Sequence, residues 1–289
     1  MALSTRLRST SHWSDPRVKP PYGAVEVDWG HPLTKDLMHL WLFNEGGGPP
    51  RDLVRTAHMS QAGSLSWLPT GTGTGLDFPD DGSGFNYLTF TVAGWANTTA
   101  FTMAAMFEAD EVGAYFGLVI TRTTGLQGLL CSGAVGNPLT FSWDAAADEY
   151  DGATGLTLSP GQSYLGAVSI SATNAVMTLG QPAAYPTTTF TNANTNASMS
   201  LNGTWYVGQD PIGGGGAREW DGRIKWLALW YRTLPINALN NVHAEPYAFL
   251  RPIIRRRYFI FTPAAQAAQN IFIQEHIGRG IGRGVFVGR

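Results

Sequence analysis

Cysteine is nearly absent from this sequence, because Cys131 is the only one among 289 residues. A single thiol excludes an intrachain disulfide and a zinc site built from several cysteines. The sequence also has no run of 18 apolar residues, and its first residues do not form the apolar core of a signal peptide. We therefore expect a protein that is made in the cytoplasm without a signal peptide and does not bind a membrane.

Charged residues are scarce as well, at 14% of the chain with a formal net charge of −2. Aromatic residues reach 12%, and there are 35 glycines. Disordered chains have few aromatic residues and a high net charge, and long helices are rich in alanine and charged residues, so neither class fits. The small net charge also gives no reason to expect nucleic acid as a partner. The composition favours β-strands joined by many turns.

Short apolar segments separated by turn signals recur along the middle of the chain and predict strands. They cover residues 39–43, 75–78, 87–92, 101–108, 115–121, 139–143, 164–171, 175–179, 198–207 and 223–231. One helix is predicted at residues 234–242, directly after the last of these strands, with Pro235 in its first turn. Regular short strands with a single short helix predict an all-β antiparallel sandwich.

The two ends of the chain differ from this middle part. Residues 1–35 contain several prolines and no sustained apolar periodicity, which predicts an extended N-terminal arm. Residues 251–289 contain seven arginines and one glutamate, which predicts a basic, glycine-rich C-terminal arm. The sandwich domain is then residues 36–250, with 17 acidic and 7 basic residues. We expect both arms to be dispensable for folding and to bind neighbouring subunits.

Four stretches of the middle part resemble the laminin-G-like, concanavalin A-like jelly-roll domains that occur in many bacteriophage structural proteins. Three of them are LWLFNEGG at residues 40–47, GLDF at residues 75–78 and AFTMA at residues 100–104. The fourth, YVGQ at residues 206–209 followed by WDGRI at residues 220–224, is similar to the final strands of the family. The resemblance spans residues 36–250 and implies a concanavalin A-like jelly roll.

The same resemblance implies a non-enzymatic structural protein located in a bacteriophage virion, with capsid decoration or stabilisation as the leading function. Its partners would be other virion proteins, either major capsid or tail proteins, and further copies of the chain in a homo-oligomer. Two alternatives stay open. One is a tail fibre, spike or baseplate adhesin that binds host-surface glycans, and the other is a degenerate glycoside hydrolase.

The C-terminal arm contains the residues that we expect to make assembly contacts. Its basic cluster and the apolar strip after it suit a groove with carboxylates on a neighbouring chain. The competing outcome is that the strip adds a strand to its own sandwich. The predicted contact residues are Arg255, Arg256, Arg257, Tyr258, Phe259, Phe261, Arg279 and Arg283.

Acidic residues raise the questions of catalysis and of calcium. Glu219 and Asp221 have the alternate spacing of jelly-roll glucanase carboxylates, but a third carboxylate is missing, and Asp221-Gly222 is also a turn sequence. We therefore predict no catalytic residue. Asp77, Asp80 and Asp81 form the densest acidic cluster and are the candidate ligands for calcium, although an Asx-rich turn accounts for them better. We predict no obligatory cofactor.

Tryptophan is the remaining signal for a ligand, because exposed indole rings stack on sugar faces. Trp95 lies between Gly94 and Asn97, and Trp220 lies at a turn, so these two are the candidates for an exposed carbohydrate-binding ring. Packing beneath loops is the competing explanation for each of them.

Overall fold

A computed structural model gives the structure of residues 15–55, 58–70, 73–79, 86–96, 98–112, 116–122, 127–131, 138–142, 156–186, 188–193, 200–211, 218–253, 271–274 and 284–287. The chain divides into two compact units, Met1–Ile253 and Ile254–Arg289. Helices long and apolar enough to span a membrane do not occur in these described ranges.

The described part of the first unit consists mainly of strands. In chain order they are β1 (Val25–Val27), β2 (Leu37–Trp41), β3 (Ser60–Ala62), β4 (Ser66–Thr70), β5 (Gly73–Phe78), β6 (Tyr87–Val92), β7 (Phe101–Ala109), β8 (Phe116–Thr121), β9 (Gln127–Cys131), β10 (Leu139–Ser142), β11 (Ser163–Ile170), β12 (Asn174–Gly180), β13 (Thr188–Ala193), β14 (Gly203–Val207), β15 (Gly222–Trp230) and β16 (Leu250–Pro252). A 3-10 turn, Pro32–Thr34, precedes β2, and helix α1 (Ile236–Ala244) follows β15. In the second unit, β17 (Ile271–Gln274) pairs antiparallel with β18 (Gly284–Val287).

Two antiparallel sheets form the body of the first unit. One sheet has the order β10-β9-β8-β14-β6-β3, and the other has the order β13-β12-β11-β7-β15-β5-β4, with β2 also paired to β15. Strands β1 and β16 form a separate antiparallel pair. This architecture confirms the predicted all-β antiparallel sandwich of jelly-roll type.

The main core lies between the two sheets and is rich in aromatic rings. Strand β7 contributes every second residue to it, including Phe101 and Phe107, while Phe90 and Trp205 come from the facing sheet. This period of two is what a strand requires when its side chains alternate between faces. Cys131 is buried in the same core, and burial raises the pKa of its thiol to about 12, so the thiol stays protonated and unreactive.

A second core covers the outer face of the larger sheet. The residues of β7 that point outward, such as Met106, pack with Trp226 and Trp230 of β15 against α1 and against Leu33 of the N-terminal segment. The indole Nε1 of Trp230 donates a hydrogen bond to the Leu33 carbonyl oxygen at 2.6 Å. The larger sheet is therefore buried on both faces.

The N-terminal segment lies on the sandwich over residues 15–35 rather than extending from it. Val25 and Val27 are buried through the pairing of β1 with β16. The Lys19 ammonium group donates hydrogen bonds to the carbonyl oxygens of Phe43 and Thr74. These contacts were not predicted from the sequence, because a three-residue strand and single anchoring side chains leave no periodic pattern.

A β-bulge in β15 determines which side chains face outward. The register against β7 shifts between Ile224 and Trp226, so Lys225 is an extra residue in the ladder. Ile224 faces the main core, whereas Arg223, Lys225 and Trp226 all lie toward the outer face. Arg223 and Lys225 are two residues apart and share this face through ordinary alternation, and the bulge adds Trp226 beside them.

We predict that buried His243 makes the sandwich sensitive to mild acid. Burial lowers the pKa of its imidazole from 6.5 to about 4, and Nε2 lies 2.8 Å from Thr178 Oγ1. Between these two pH values the unfolded chain binds a proton that the folded chain does not, so the free energy of unfolding falls as the pH falls, by about 3 kcal/mol in total. Urea unfolding at pH 7, 5.5 and 4 should show a smaller loss for His243→Gln, and an identical loss would contradict this role.

Candidate functional site

A cavity of about 290 Å³ lies at the polar end of the outer face of the larger sheet. Strands β7, β11 and β15, the turn before β11, the turn after β12 and the N-terminal segment all contribute to its wall. The lining residues are Arg17, Met106, Gly161, Gln162, Ser163, Gln181, Pro182 and Lys225. We call this site the Lys225 cavity, and its volume is close to the lower limit of roughly 300 Å³ for small-molecule sites.

Lys225 is the most deeply buried charged group in the wall of the cavity. Its Nζ donates to Glu108 Oε2 at 2.5 Å and to Ser163 Oγ at 2.6 Å, and only 3% of the lysine side chain is exposed. Arg223 Nη1 donates to the second oxygen of Glu108 at 2.9 Å. Burial acts to raise the pKa of Glu108, but the hydrogen bond and charge of Lys225 outweigh it and hold this pKa below its ordinary value.

Arg223 links Glu108 to two further carboxylates. Its Nε lies 3.6 Å from Asp77 Oδ1, and its Nη2 lies 3.4 Å from Asp110 Oδ2. Burial raises the pKa of Asp77, although the charge of Arg223 acts in the opposite direction. Glu108, Asp77, Asp110, Arg223 and Lys225 thus form one network of three carboxylates and two cations.

Of the predicted calcium ligands, the structure describes Asp77 alone, and Asp80 and Asp81 lie outside the described residues. The Asp77 carboxylate faces Arg223 and accepts a hydrogen bond from Ser66 Oγ at 3.4 Å. No group of three or more histidine, cysteine, aspartate or glutamate side chains suited to a metal ion occurs within the described ranges. The position of Asp77 is therefore explained by an ion pair.

Two glutamine side chains supply hydrogen-bonding groups at the rim of the cavity. Gln162 and Gln181 are exposed, and neither side-chain amide has a hydrogen-bond partner among the described residues. The turn that carries Gln181 bends sharply because Ala183 has a φ of 62° in the left-handed region. The same turn presents Tyr185, whose ring is 69% exposed.

The N-terminal segment forms one side of the cavity through Arg17. The Arg17 guanidinium contacts Asp15, with Nε 3.2 Å from Oδ1 and Nη2 3.4 Å from Oδ2. Two residues further on, Lys19 fixes the segment to the carbonyl oxygens described above. Burial lowers the pKa of Lys19 well below its ordinary value. The position of Arg17 in the cavity wall therefore depends on the hydrogen bonds that Lys19 makes.

The predicted carbohydrate-binding rings are not on the surface, and this prediction is wrong. Trp95 and Trp220 are each only 1% exposed. The Trp95 ring packs 5.3 Å from Tyr231, and the Trp220 ring stands edge-on to Phe107 at 5.3 Å. Turn residues beside a tryptophan do not expose its ring when the turn folds over the core. Packing beneath loops, the competing explanation, therefore accounts for both rings.

The Glu219 and Asp221 pair occupies a turn at the edge of the main core. Glu219 is fully buried, and its Oε1 accepts a hydrogen bond from the backbone N–H of Asn86 at 3.0 Å. Gly222 begins β15 with a φ of 136°, and a Cβ atom there would lie 2.1 Å from the Glu108 carbonyl oxygen. Glycine is therefore required at this turn, and the buried Glu219 carboxylate is out of reach of a sugar.

The predicted assembly residues, Arg255, Arg256, Arg257, Tyr258, Phe259, Phe261, Arg279 and Arg283, lie outside the described residues. Their contacts stay a prediction. The Lys225 cavity leaves no pattern in the sequence, because its wall combines residues separated by more than 200 positions. The nearest local signal was the pair of charged residues Arg223 and Lys225 in a strand whose remaining residues are apolar or glycine.

Solved structures with a similar fold include domain 4 of AbnA, a GH43 extracellular arabinanase from Geobacillus stearothermophilus, in complex with arabinotriose. The match has a TM-score of 0.53 at 14% identity and covers 72% of this chain and 98% of that domain. A mutant of Trypanosoma rangeli sialidase displaying trans-sialidase activity matches with a TM-score of 0.52 at 16% identity, over 75% of this chain and 34% of the sialidase. The binding domain of Paraclostridial Mosquitocidal Protein 1 matches with a TM-score of 0.50 at 9% identity, over 72% of this chain and 52% of that chain. No family model and no curated protein matches the sequence.

The prediction that the protein is not an enzyme is wrong in the light of these structures. They include a domain of an arabinanase and a sialidase, so chains of enzymes are among those that share this fold. The chain spans about a third of the sialidase and about half of the mosquitocidal binding domain. At identities of 9–16% the likeness shows the fold, which is a jelly-roll-like β-sandwich shared with parts of an arabinanase, a sialidase and a mosquitocidal protein.

Proposed function

We propose that the protein is a carbohydrate-binding β-sandwich protein of a bacteriophage virion, which attaches the particle to host-surface glycans through the Lys225 cavity. The observation that carries this proposal is the cavity with two free glutamine amides at its rim. It lies on a fold that matches 98% of a domain solved with arabinotriose.

The chemistry of the cavity suits a sugar. Each glutamine amide offers both a donor and an acceptor, which matches the dual character of a sugar hydroxyl group. Half-buried Pro182 provides apolar surface for the C–H face of a sugar ring, buried Met106 lies in the wall behind it, and exposed Tyr185 follows on the same turn. The other side chains of the wall are polar or charged, which suits a ligand rich in hydroxyl groups.

An adhesin is favoured over the capsid decoration protein that we expected first. Decoration relied on two free arms, but residues 15–35 pack on their own sandwich. The virion location is supported by the sequence resemblance of residues 36–250 to bacteriophage structural domains. We still expect the basic cluster at residues 255–257 to bind other virion proteins.

Glycan binding is tested with the full chain on an array of oligosaccharides, followed by calorimetry on the sugars that bind. Gln181→Ala should weaken binding about tenfold or more, because one lost hydrogen bond at a ligand site costs of order 1–2 kcal/mol. Gln61→Ala is the matched control, since Gln61 is exposed on β3 of the smaller sheet and should bind like the wild type. Equal binding by both variants, or no binding sugar, would refute the site. Sugar release is measured in the same samples to detect hydrolysis.

The virion location is tested separately by imaging. Antibodies raised against the chain should label purified phage particles at the tail, where an adhesin acts. Label over the capsid shell would instead restore decoration as the function. Particles without label would refute any structural role in the virion.

A further inference from the structure

We infer that the Lys225 cavity selects neutral sugar units over sugars that carry a carboxylate. This inference rests on the proposed function and names the chemical class of its ligand. Carboxylated sugars are held in proteins by cations free to form charge-assisted hydrogen bonds. Both cations in the wall of this cavity, Lys225 and Arg17, are instead paired with carboxylates of the protein itself.

The charge around Lys225 is compensated in full. Glu108 accepts from Lys225 at 2.5 Å and from Arg223 at 2.9 Å, and Arg223 also faces Asp77 and Asp110. Three carboxylates therefore surround two cations. A ligand carboxylate brought to Lys225 would have to displace Glu108, leaving this mostly buried anion with Arg223 as its remaining cation, which is costly.

The other cations near the cavity also contact groups of the protein itself. Arg17 forms a two-point contact with Asp15 at the rim. Lys19 directs its ammonium group to the backbone carbonyls of Phe43 and Thr74 and is not part of the cavity wall. The cavity-wall groups without any partner among the described residues are the amides of Gln162 and Gln181, which cannot neutralise a negative charge.

A matched pair of ligands tests this inference on the full chain. Affinities are measured by calorimetry for galactose and galacturonic acid, for glucose and glucuronic acid, and for oligosaccharides that end in each of them. We expect the neutral sugars to bind at least tenfold more tightly than the carboxylated ones. Tighter binding of the carboxylated members would overturn the neutral class while leaving glycan binding intact. Absence of binding by every sugar would refute the proposed function itself.

Two variants should weaken the preference for neutral sugars. Glu108→Gln frees the charge of Lys225 and should raise the affinity for galacturonic acid relative to galactose. Gln181→Lys adds a cation at an exposed position that the fold does not need, and it should shift the same ratio roughly fivefold to tenfold. The shift should shrink in 0.5 M salt, because salt screens exposed charges. Unchanged ratios in Gln181→Lys would show that charge at this cavity does not govern selection.

Discussion

Deletion of residues 1–35 should lower the unfolding midpoint of the protein by about 10 °C or more, or abolish folding. We first expected this deletion to be harmless. The structure gives the reason for a large effect, because β1 pairs with β16 and Leu33 closes the outer core over Trp230. Losing this cover would expose the buried faces of Trp226 and Trp230 to water. For a chain of this size, 1 kcal/mol corresponds to about 2–4 °C.

Point variants separate this packing from a general effect of truncation. Leu33→Ala should lower the free energy of unfolding by about 3 kcal/mol, since Leu33 is 4% exposed and truncation leaves a cavity. Val18→Ala in the same segment is the control, because Val18 is 51% exposed and should change stability by less than about 0.5 kcal/mol. Thermal and urea unfolding measure both. Equal stability of the truncated and full chains would restore the N-terminal segment as a free arm.

Most strands of the two sheets could be predicted from the sequence because their side chains alternate. Residues 87–92 were predicted as a strand and form β6 with the same bounds. The helix begins two residues later than predicted, at Ile236, because Pro235 caps it instead of lying in its first turn. Strands β1, β3 and β16 were missed, since three residues are too few to show a period. Strands β4, β9 and β13 were missed as well.

The candidate site could not be predicted for a different physical reason. Its network joins Asp77, Glu108 and Arg223, which come from three neighbouring strands far apart in sequence. The exposure of a side chain also depends on tertiary packing, and Trp95 shows how a turn-like neighbourhood misleads. Burial of a tryptophan is decided by what packs over it, such as Tyr231, which no local pattern reveals.

The Lys225 and Glu108 pair should be the most costly single interaction to break in the cavity. Lys225→Met should lower the free energy of unfolding by about 3 kcal/mol or more, because it leaves a mostly buried carboxylate with fewer partners. Lys35→Met is the matched control, since Lys35 is exposed and its loss should cost almost nothing. The acid dependence should change as well. Glu108 contributes stability above the ordinary carboxyl pKa of 4.5 and loses it as the pH falls through its lowered pKa, a loss that should diminish in Lys225→Met.

A double-mutant cycle then measures the interaction itself. Glu108→Gln alone should destabilise the protein, because Lys225 is buried and keeps only the Ser163 hydroxyl and an amide oxygen as acceptors. The double variant Lys225→Met, Glu108→Gln removes both charges and should be clearly more stable than the sum of the two single losses predicts. We expect a coupling of about 1–3 kcal/mol, in the range found for contacting buried charges. Glu26→Gln provides the control for a surface pair, since Glu26 and Arg251 are both about half exposed and should couple by less than about 1 kcal/mol. Additive losses for Lys225 and Glu108 would show that Arg223 alone satisfies the carboxylate and that Lys225 is free to bind an anion. In that case the selection of neutral sugars would lose its physical basis.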